Sequence, residues 1–590
     1  LISLDDLKAF DKPSKSWKVV GNAWASFDEE KPLEVEGGKG VLLYKNDDKN
    51  RGKLLTNLQH GDIHLEFEIL LPKKSQAGIF LQGRYYLDLR DSWQSVSQDS
   101  SRSWTGSIAL APSENETQNV FKRPSVNAAF APGIWQKYQV LFRAPRFDSQ
   151  GVKQENARFE HVYLNGKLIQ QEVELPAPSP GSIDLAEVKE APLMLTSFGA
   201  DLAFRNLKYK KFGSDSLSIK NLKAQVFRGE WDYLPDFASL SPSAKELQVN
   251  RLDDFAFLGD EKDHVALIYE ADLEVPTTGD YLFETLIDDG GDLLIDDELI
   301  IHNEGEPGIG QASKIVHLEK GIHPFKVTYY QEIWGLTLSI YYEGPEMERR
   351  TLASLDALKT DKWLAKPAPL LVKAEAEIET MRSFVMYKNQ KKTHTISVGH
   401  PENLNYSYDL KEGALLRAWR GDFANVAEMW VERGEAQLLR PLNACIQPNV
   451  GVSFARLDND KSPWPVTTPE GFVYKGYKRE KNGQPTFLYA GPSLQLEDKI
   501  YPAEDASHLV REMIFDLDEA SDHYYCRLAS ASKIKKMKNG WYSIGQMYYL
   551  KLEGAFVGKE FIRMQGDLSE LLLELDPQNN QKPILTKILW

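Results

Sequence analysis

The sequence predicts a nearly all-β protein built from several domains. Strand-like alternation of apolar and polar residues recurs along the whole chain, and long helical periodicity is scarce. Asn-Gly turn signals separate alternating segments, as in YLNGKLI (163–169) and EKNGQPTFLY (480–489). At 590 residues the chain is long for one hydrophobic core, so we expect roughly three or four domains.

Composition narrows the class of protein. The formal net charge of −16 argues against a nucleic-acid partner, because phosphate binding needs a basic surface. The longest apolar runs are only as long as strands, so we expect no transmembrane segment. The first residue is Leu1 rather than methionine, which fits either a mature form after signal removal or an artificially trimmed chain, and on the first of these we expect a secreted or periplasmic protein.

The motifs of the common cofactor enzymes are missing from the sequence. It contains no GxxxxGK[ST], HExxH, GxSxG or CxxCH, so we expect no required cofactor of those kinds. Cys445 and Cys526 are the only cysteines, which excludes a disulfide scaffold and a CxxC site. They could pair with each other or remain buried thiols.

The segment GIFLQGRYYLDLRDSW (78–93) alternates with period two from Ile79 to Arg90 and predicts one continuous strand. One face of that strand is apolar, small or aromatic. The other mixes an amide, guanidinium groups, a phenol and a carboxylate: Gln82, Arg84, Tyr86, Asp88 and Arg90. This mixture suits the hydroxyls of a sugar, although an ordinary solvated sheet face would alternate in the same way.

A second segment, GDIHLEFEIL (61–70), alternates similarly. Its apolar set is predicted to face a core, and its polar set to face outward: His64, Glu66 and Glu68. Two such strands predict a β-sandwich with one polar sheet face, a common way to build a carbohydrate cleft.

Four ordered blocks of the first region carry a family resemblance. They are QAGIFLQGRYYLDLRDSW (76–93), VNAAFAPGIWQKYQVLFRAPRFD (126–148), ARFEHVYLNGKLIQQEVEL (157–175) and PLMLTSFGADLAFRNLKYKKF (192–212). Together they resemble the bacterial 3-keto-disaccharide hydrolase domain, which is similar to family 16 glycoside hydrolases. The resemblance implies a concanavalin-like jelly roll and either hydrolytic or eliminative cleavage of a glycosidic bond, on a sugar oxidised at its third carbon.

A ketone at C3 acidifies the proton at C2, so a base can remove that proton and the C1 oxygen can leave. Such a site needs a base, a group that stabilises the enolate and an acid near the leaving oxygen. We assign Glu66 and Asp88 as candidate base and acid, and Arg84 as the enolate or hydroxyl clamp. The candidate substrate-binding residues of the same pocket are His64, Gln82, Tyr86 and Asp91.

Two departures from the family pattern bear on this activity. The family's GRYEVQ is GRYYLD here, which puts Tyr86 in place of a carboxylate and Asp88 in place of an amide. The family's DHG is SFG here, with Phe198 in place of histidine. Either the chemistry is relocated, or this domain binds sugar without cutting it.

The second region, residues 214–350, contains GDYLFETLIDDGGDLLIDDELIIHNEG (279–305) and LEKGIHPFKVTYYQEIWGLTLSIYYEGP (318–345). These segments resemble the carbohydrate-binding β-barrel first described in anthrax protective antigen. In sugar-binding relatives an adjacent pair of aspartates holds calcium, and the resemblance carries that role to Asp288 and Asp289, whose oxygens suit the ion. An acidic hairpin turn without metal is the alternative.

A Pro- and Ala-containing segment at 351–379 predicts a linker between the second region and a third domain at 380–590. The first domain is then predicted at 1–213. In the third, a further β-rich sandwich, the candidate sugar-binding residues are Trp419, Arg420 and Asp422, because an indole face packs on a pyranose. Turn-anchoring Trp and Arg residues are the alternative.

We therefore expect a secreted or periplasmic carbohydrate-active protein with a carbohydrate partner, no nucleic-acid partner and at most calcium as a cofactor. A rival interpretation is a non-catalytic glycan-binding or scaffolding protein of the cell envelope.

Overall fold

The computed structural model describes residues 1–46, 52–95, 104–111, 120–213, 216–243, 246–333, 336–347, 349–353, 368–430, 437–448, 451–518 and 523–590. The chain forms two compact units. The first contains Leu1–His60, Leu65–Tyr209 and Pro367–Trp590, and the second contains Gly61–His64 and Lys210–Lys366. Strands dominate both units, which confirms the predicted all-β class.

The N-terminal part is a jelly-roll sandwich, as predicted. Its strands are β1 Phe10–Asp11, β2 Trp17–Trp24, β3 Glu34–Tyr44, β4 Leu54–His60, β5 Asp62–Leu70, β6 Gln76–Leu81, β7 Tyr85–Arg90, β8 Ile108–Leu110, β9 Val120–Lys122, β10 Trp135–Arg143, β11 Arg146–Phe147, β12 Lys153–Glu155, β13 Ala157–Leu164, β14 Lys167–Leu175, β15 Ala191–Ser197 and β16 Leu202–Phe212. Sheet A has the order β1-β4-β15-β6-β7-β8-β9, and sheet B the order β14-β13-β10-β5-β16-β3-β2.

Alternation along β5 fixes the two faces of sheet B. Leu65 and Phe67 are buried in the interior, and Phe67 stacks on Tyr138 of β10 at a ring-centroid distance of 5.0 Å. Between them Glu66 is only half-buried and points away from sheet A. The predicted division of this strand into core and outward faces is confirmed.

The predicted single strand at 78–93 is wrong. The chain turns at Gln82, Gly83 and Arg84, and β6 pairs antiparallel with β7 as a hairpin. Gln82 and Gly83 both have positive φ angles, 50° and 62°, which tight hairpin loops require.

The second unit is built on one eight-stranded sheet. Its strands are β17 Ser218–Arg228, β18 Leu247–Gln248, β19 Val265–Val275, β20 Gly279–Ile295, β21 Glu298–Leu318, β22 Gly321–Gln331, β23 Leu338–Glu343 and β24 Arg350–Thr351, with short 3-10 turns at Phe237–Ser239 and Ala256–Leu258. The order is β18-β17-β19-β22-β20-β23-β24, and β21 pairs with β20. Residues 354–367, close to half of the predicted linker, lie outside the described residues.

The C-terminal part is β-rich, as predicted. Its strands are β25 Leu371–Val372, β26 Glu379–Tyr387, β27 Gln390–Gly399, β28 Leu404–Asp409, β29 Ala414–Arg420, β30 Ala424–Asn425, β31 Arg440–Pro441, β32 Cys445–Ile446, β33 Phe454–Arg456, β34 Val473–Arg479, β35 Pro485–Ala490, β36 Leu494–Pro502, β37 Leu509–Leu517, β38 Tyr524–Ala531, β39 Ile534–Lys536, β40 Tyr542–Ile544, β41 Tyr548–Glu553, β42 Glu560–Gln565, β43 Leu568–Leu575 and β44 Ile584–Leu589. A one-turn α-helix, Ala427–Trp430, and 3-10 turns at Gly554–Phe556 and Pro577–Asn579 complete it.

Four sheets organise this C-terminal part. The largest has the order β34-β35-β36-β37-β44-β41-β40-β39, and a second has the order β26-β27-β28-β29-β32. Two smaller sheets follow β33-β38-β43-β42 and β25-β30-β31. Cys445 and Cys526 are both free thiols, so they do not form a disulfide.

The N-terminal sandwich and the C-terminal part share one hydrophobic core. Phe27 packs against Tyr549 and Trp541, with ring centroids 4.8 and 5.2 Å apart. The Tyr549 hydroxyl donates to the Pro132 carbonyl at 2.9 Å, and the Trp93 indole donates to the Trp590 carbonyl at 2.6 Å. The two parts therefore bury apolar surface against each other and form one body.

No helix among the described residues is long and apolar enough to cross a membrane.

Candidate functional site

A cluster of polar side chains lies on the outer face of sheet A, where β6 and β7 pair. Asp88 Oδ1 accepts hydrogen bonds from the Tyr86 hydroxyl at 2.8 Å and from Gln76 Nε2 at 3.2 Å. Asp88 Oδ2 accepts from Arg90 Nε, completing an ion pair. Residues that pair directly across a hairpin project from the same face, and Gln76 pairs with Arg90 as Gly78 does with Asp88.

Gly78 makes room for this cluster. A Cβ atom at residue 78 would lie 2.0 Å from Cε2 of Tyr86, so any larger residue would displace the phenol ring. With glycine there, the ring lies across β6, and its hydroxyl reaches Asp88 and, at 3.0 Å, the carbonyl of Ala77.

Burial sets the electrostatics of the cluster. Asp88 is fully buried, and this burial raises the pKa of its carboxyl above the ordinary value, while the bonds from Arg90, Tyr86 and Gln76 partly oppose the rise. The Arg90 side chain is 18% exposed and is thus the charge of the cluster that solvent can reach. The arrangement can present a guanidinium to a sugar oxygen while a buried carboxylate orients it.

An apolar wall adjoins the cluster. Phe80 and Tyr86 pack at 4.7 Å between ring centroids, with Met194 in the same buried group. Phe198, which stands where the family has histidine, meets Tyr86 edge to face at 6.2 Å and is half exposed. An aromatic ring therefore occupies the position where the family pattern would supply a proton-transfer group.

Glu66 does not join this cluster. It lies on the outward face of sheet B, where it accepts a hydrogen bond from Gln139 at 3.0 Å and pairs with Lys137 at 3.7 Å. His64, on the same strand, is also half-buried. Because Glu66 and Asp88 project from opposite outer faces of the sandwich, they cannot act on the same sugar as the sequence had suggested.

Gln82 and Arg84 belong to the hairpin turn, and both are buried rather than solvent-facing as predicted. Gln82 Nε2 donates to the carbonyls of Lys189 at 2.9 Å and His60 at 3.1 Å. Arg84 Nε donates to the Ala186 carbonyl at 2.7 Å. The prediction that Arg84 and Asp88 share one polar strand face is therefore also wrong, because the turn places Arg84 against a loop.

We expect Arg84→Ala to lower stability by about 1–3 kcal/mol, because it removes a buried donor and leaves the Ala186 carbonyl without it. Sugar binding per folded molecule should stay unchanged, since Arg84 does not contact the Asp88 cluster. Thermal unfolding combined with a binding titration checks both parts. If the variant were as stable as the wild type but bound sugar poorly, Arg84 would be a sugar-binding residue and this prediction would be wrong.

Asp91 shapes the segment after β7. Its carboxylate accepts from the backbone N–H groups of Lys74 at 2.9 Å and Trp93 at 3.2 Å, and burial raises the pKa of its carboxyl. These bonds hold Trp93 in position to donate its indole N–H to Trp590.

The predicted sugar cluster of the C-terminal part is not assembled as an open site. Trp419 is fully buried, stacks on Phe423 at 5.9 Å and donates to the Phe423 carbonyl at 2.8 Å. Arg420 lies near the rings of Trp590 and Trp93, at 5.1 and 5.6 Å, and burial lowers its pKa to about 10.

Asp422 is exposed and pairs with Lys373 at 3.7 Å. Of the three residues it is the most exposed, since Trp419 is buried and Arg420 is half-buried, and the contacts of Trp419 and Arg420 match the turn-anchoring alternative.

Asp288 and Asp289 lie at a bulge in β20, in the second unit. Asp289 Oδ2 accepts from the Glu332 N–H at 2.6 Å, and Asp288 Oδ1 accepts from the Asp289 N–H at 3.1 Å. Burial raises the pKa of Asp289. Within the described ranges, no three His, Cys, Asp or Glu residues are grouped to hold a metal, so calcium here would need further oxygens from backbone, water or sugar.

Comparisons with known families agree with this architecture. The family model described as a 3-keto-alpha-glucoside-1,2-lyase-like domain matches residues 5–210, and the PA14 domain matches residues 228–355. The chain contains both domains. PA14 is the protective-antigen-type domain, so both resemblances seen in the sequence are confirmed. At the level of its domains, this is a carbohydrate-active protein.

Solved structures overlap parts of the chain. A candidate glycosyl hydrolase from Parabacteroides distasonis ATCC 8503 is 24% identical, covers 35% of this chain and 84% of its own, and has a TM-score of 0.25. A second from that organism is 13% identical, covering 36% and 98% with a TM-score of 0.24. The PA14 domain of the antifreeze protein MpAFP is 14% identical, covering 24% and 92% with a TM-score of 0.19. No curated protein matches the chain.

Gln76 and Arg90 are not among the site residues predicted from the sequence. Arg90 belongs to the alternating polar row, so its type and position were visible, but the role of its partner Gln76 depends on the hairpin pairing. Recognising Gly83 as a turn residue would have brought the two together.

Proposed function

We propose that the 3-keto-alpha-glucoside-1,2-lyase-like domain binds a 3-keto glucoside on the outer face of sheet A and cleaves its glycosidic bond by elimination. The observation that carries the proposal is the Asp88–Arg90 ion pair beside Tyr86, inside a domain that matches a lyase-like family. A carboxylate with a raised pKa next to a guanidinium is a suitable pair for proton abstraction beside a carbonyl.

In this mechanism Asp88 accepts the proton from C2 of the sugar. The electron pair of that C–H bond forms a double bond between C2 and C1 as the bond from C1 to the leaving oxygen breaks. Arg90 stabilises the negative charge that develops on the C3 carbonyl oxygen, and the departing oxygen takes a proton from solvent or from an acid on the enzyme. Later addition of water to the double bond completes an apparent hydrolysis.

A second candidate function is sugar binding without cleavage, in a glycan-binding or scaffolding role. Two observations favour it: Asp88 is fully buried with three hydrogen-bond donors already in place, and Phe198 replaces a histidine of the family pattern. For catalysis, a substrate must displace Arg90 from Asp88 Oδ2, and the carboxylate must become accessible.

Incubating the full chain with a 3-keto disaccharide and with the same disaccharide unoxidised separates the two functions. Elimination predicts loss of the keto disaccharide, and mass spectrometry should detect the released sugar and a dehydrated keto-sugar. The unoxidised disaccharide should remain intact. Saturable binding of the keto disaccharide with no product after long incubation would reject the lyase proposal and support the binding function.

We also propose that the PA14 domain binds glycan with help from calcium at Asp288 and Asp289. If so, calcium should raise the melting temperature of the full chain in a concentration-dependent way, because a ligand that binds only the folded state stabilises it. Asp289→Ala should abolish that rise, and Glu298→Ala, an exposed acidic change on the adjacent strand, should preserve it. An identical melting curve with calcium and with EDTA would reject calcium binding.

For location, we propose secretion to the periplasm or cell surface, where glycans of the envelope would be accessible. Fractionation of cells that express the natural gene, with an antibody against the chain, tests this. Recovery from the cytosol alone would reject it.

A further inference from the structure

A small cavity of about 160 Å³ lies where the N-terminal sandwich meets the C-terminal part, within the first compact unit. It is distant in sequence from the Asp88 cluster and shares no residue with it. The lining residues are Asn22, Trp24, Arg205, Ser532, Lys533, Lys535, Ser543, Gly545 and Gln546.

All the charged residues that line this cavity are cations. Arg205, Lys533 and Lys535 line it, and no acidic residue does. The carboxylates that pair with these cations lie outside the lining: Glu68 with Arg205 at 2.7 Å, Glu36 with Lys533 at 2.8 Å and Glu34 with Lys535 at 2.8 Å. The Glu34 and Glu36 side chains are more than half exposed, and such surface pairs hold their partners weakly.

Uncharged hydrogen-bonding groups complete the lining. Ser543 belongs to β40, is buried as a residue and lines the cavity. Asn22 uses its side-chain oxygen on the N–H of Ala23 at 2.8 Å, which leaves its amide nitrogen for a ligand. A hydroxyl and an amide nitrogen that line the cavity can hydrogen-bond the oxygens of a bound molecule.

The walls of the cavity are held in place by contacts that do not use it. Gln546 Nε2 donates to the Ala23 carbonyl at 2.6 Å. The Lys535 and Lys533 ammonium groups lie over the Trp24 ring at 4.2 and 4.8 Å, and the Arg205 guanidinium lies over Trp135 at 4.2 Å. The cations are therefore positioned before any ligand arrives, which limits the ordering cost of binding.

We propose that this cavity binds a sugar acid, as a single ring that carries a carboxylate. Lys533 and Lys535, whose carboxylate partners are exposed, would meet the carboxylate, while Ser543 and Asn22 would meet ring hydroxyls. At about 30 Å³ for each water, the cavity holds about five waters, which suits one ring rather than a chain. The proposal is independent of glycoside cleavage by the lyase-like domain.

Calorimetric titration of the full chain with glucuronate tests the proposal. Glucuronate should bind, and glucose, which has the same ring without the carboxylate, should not. Lys535→Gln should weaken glucuronate binding by about tenfold or more, since a charge-assisted hydrogen bond contributes enough to change affinity by that factor. Lys536→Gln is the matched control, because Lys536 is the next residue on β39, pairs with Glu560 and does not line the cavity.

Ser543→Ala removes the hydroxyl without changing charge, and it should weaken glucuronate binding while the melting temperature stays close to the wild-type value. This variant keeps the test valid if Lys535→Gln loosens the contact between the two parts. Sodium sulfate is titrated in parallel. Absence of glucuronate binding, binding unchanged in both variants, or sulfate binding as tight as glucuronate binding would each overturn the sugar-acid site.

Discussion

Asp88→Asn is expected to lower kcat/KM for a 3-keto disaccharide by about a hundredfold or more, because it removes the proposed proton acceptor but keeps its size. The wild-type rate should fall with acid as Asp88 becomes protonated, and this fall should begin at a higher pH than for an ordinary aspartate, since burial raises the Asp88 pKa. The variant's residual activity should lack that acid limb. Steady-state rates measured across pH test both expectations.

Glu66→Gln is the matched control for this experiment. Glu66 is also a carboxylate on the outer surface of the sandwich, but it lies on the other sheet, against Gln139 and Lys137. It should keep full activity. If Glu66→Gln were inactive and Asp88→Asn fully active, catalysis would belong to sheet B, and the site proposed on sheet A would be wrong.

Asp498→Ala should be the most destabilising change considered, by about 3–5 kcal/mol, because it leaves the Arg511 cation buried without its counter-charge. The Asp498 carboxylate accepts from Arg511 Nη2 at 2.6 Å and from the Tyr408 hydroxyl at 2.5 Å, and both members of the ion pair are buried. Burial alone would lower the pKa of Arg511, but Asp498 outweighs it and the pKa is raised. Thermal unfolding should show a loss of about 3–6 °C, since the unfolding entropy of so large a unit divides the free-energy change by a large number.

Two companion variants separate the loss of a counter-charge from the loss of packing. Replacing the pair together, as Asp498→Leu with Arg511→Met, should restore much of the stability, since apolar residues of similar size leave no isolated charge. Glu497→Ala, which breaks a solvent-exposed pair with Lys478, should change stability by no more than about 0.5 kcal/mol. If Asp498→Ala and Glu497→Ala had the same melting temperature, the buried Asp498–Arg511 pair would not contribute to stability.

The hairpin at 78–93 shows where reasoning from alternation fails. Its loop has three residues, so the paired residues Leu81 and Tyr85 are four positions apart and face the same side. An odd number of loop residues keeps the alternation in phase through the turn, and the segment looks like one strand. Only the positive φ at Gly83 and its neighbour Gln82 marks the reversal, and a single glycine is a weak sequence signal.

The sequence pattern was sufficient to predict those features that depend only on residues close together in the chain. The core and outward faces of β5 and the Asn-Gly turn at Asn165 followed from alternation and turn chemistry. Asp88 and Tyr86, which the alternation places on one face, are hydrogen-bonded to each other. Arg84 was misplaced because its partner, the Ala186 carbonyl, lies in a loop about which the strand pattern carries no information.

The contact between the N-terminal sandwich and the C-terminal part could not be predicted in this way. Its hydrogen bonds join Trp93 to Trp590 and Gln546 to Ala23, across hundreds of intervening residues. Neither side shows a periodic signal that identifies the other, so the cavity lined by Lys535 and Arg205 was also beyond the reach of sequence reasoning.

The discontinuity of the first compact unit has a consequence for synthesis on the ribosome. Phe27 and Trp93 emerge early, but the residues that bury them, Tyr549 and Trp590, emerge only after the whole PA14 domain. At about 5–20 residues per second the intervening chain takes roughly 25–100 s to synthesise, and the apolar surface around Phe27 remains uncovered throughout. Such a nascent chain must either be protected by chaperones or aggregate more slowly than it is synthesised. The PA14 domain can finish folding before the first compact unit, whose two parts lie before and after it in the sequence.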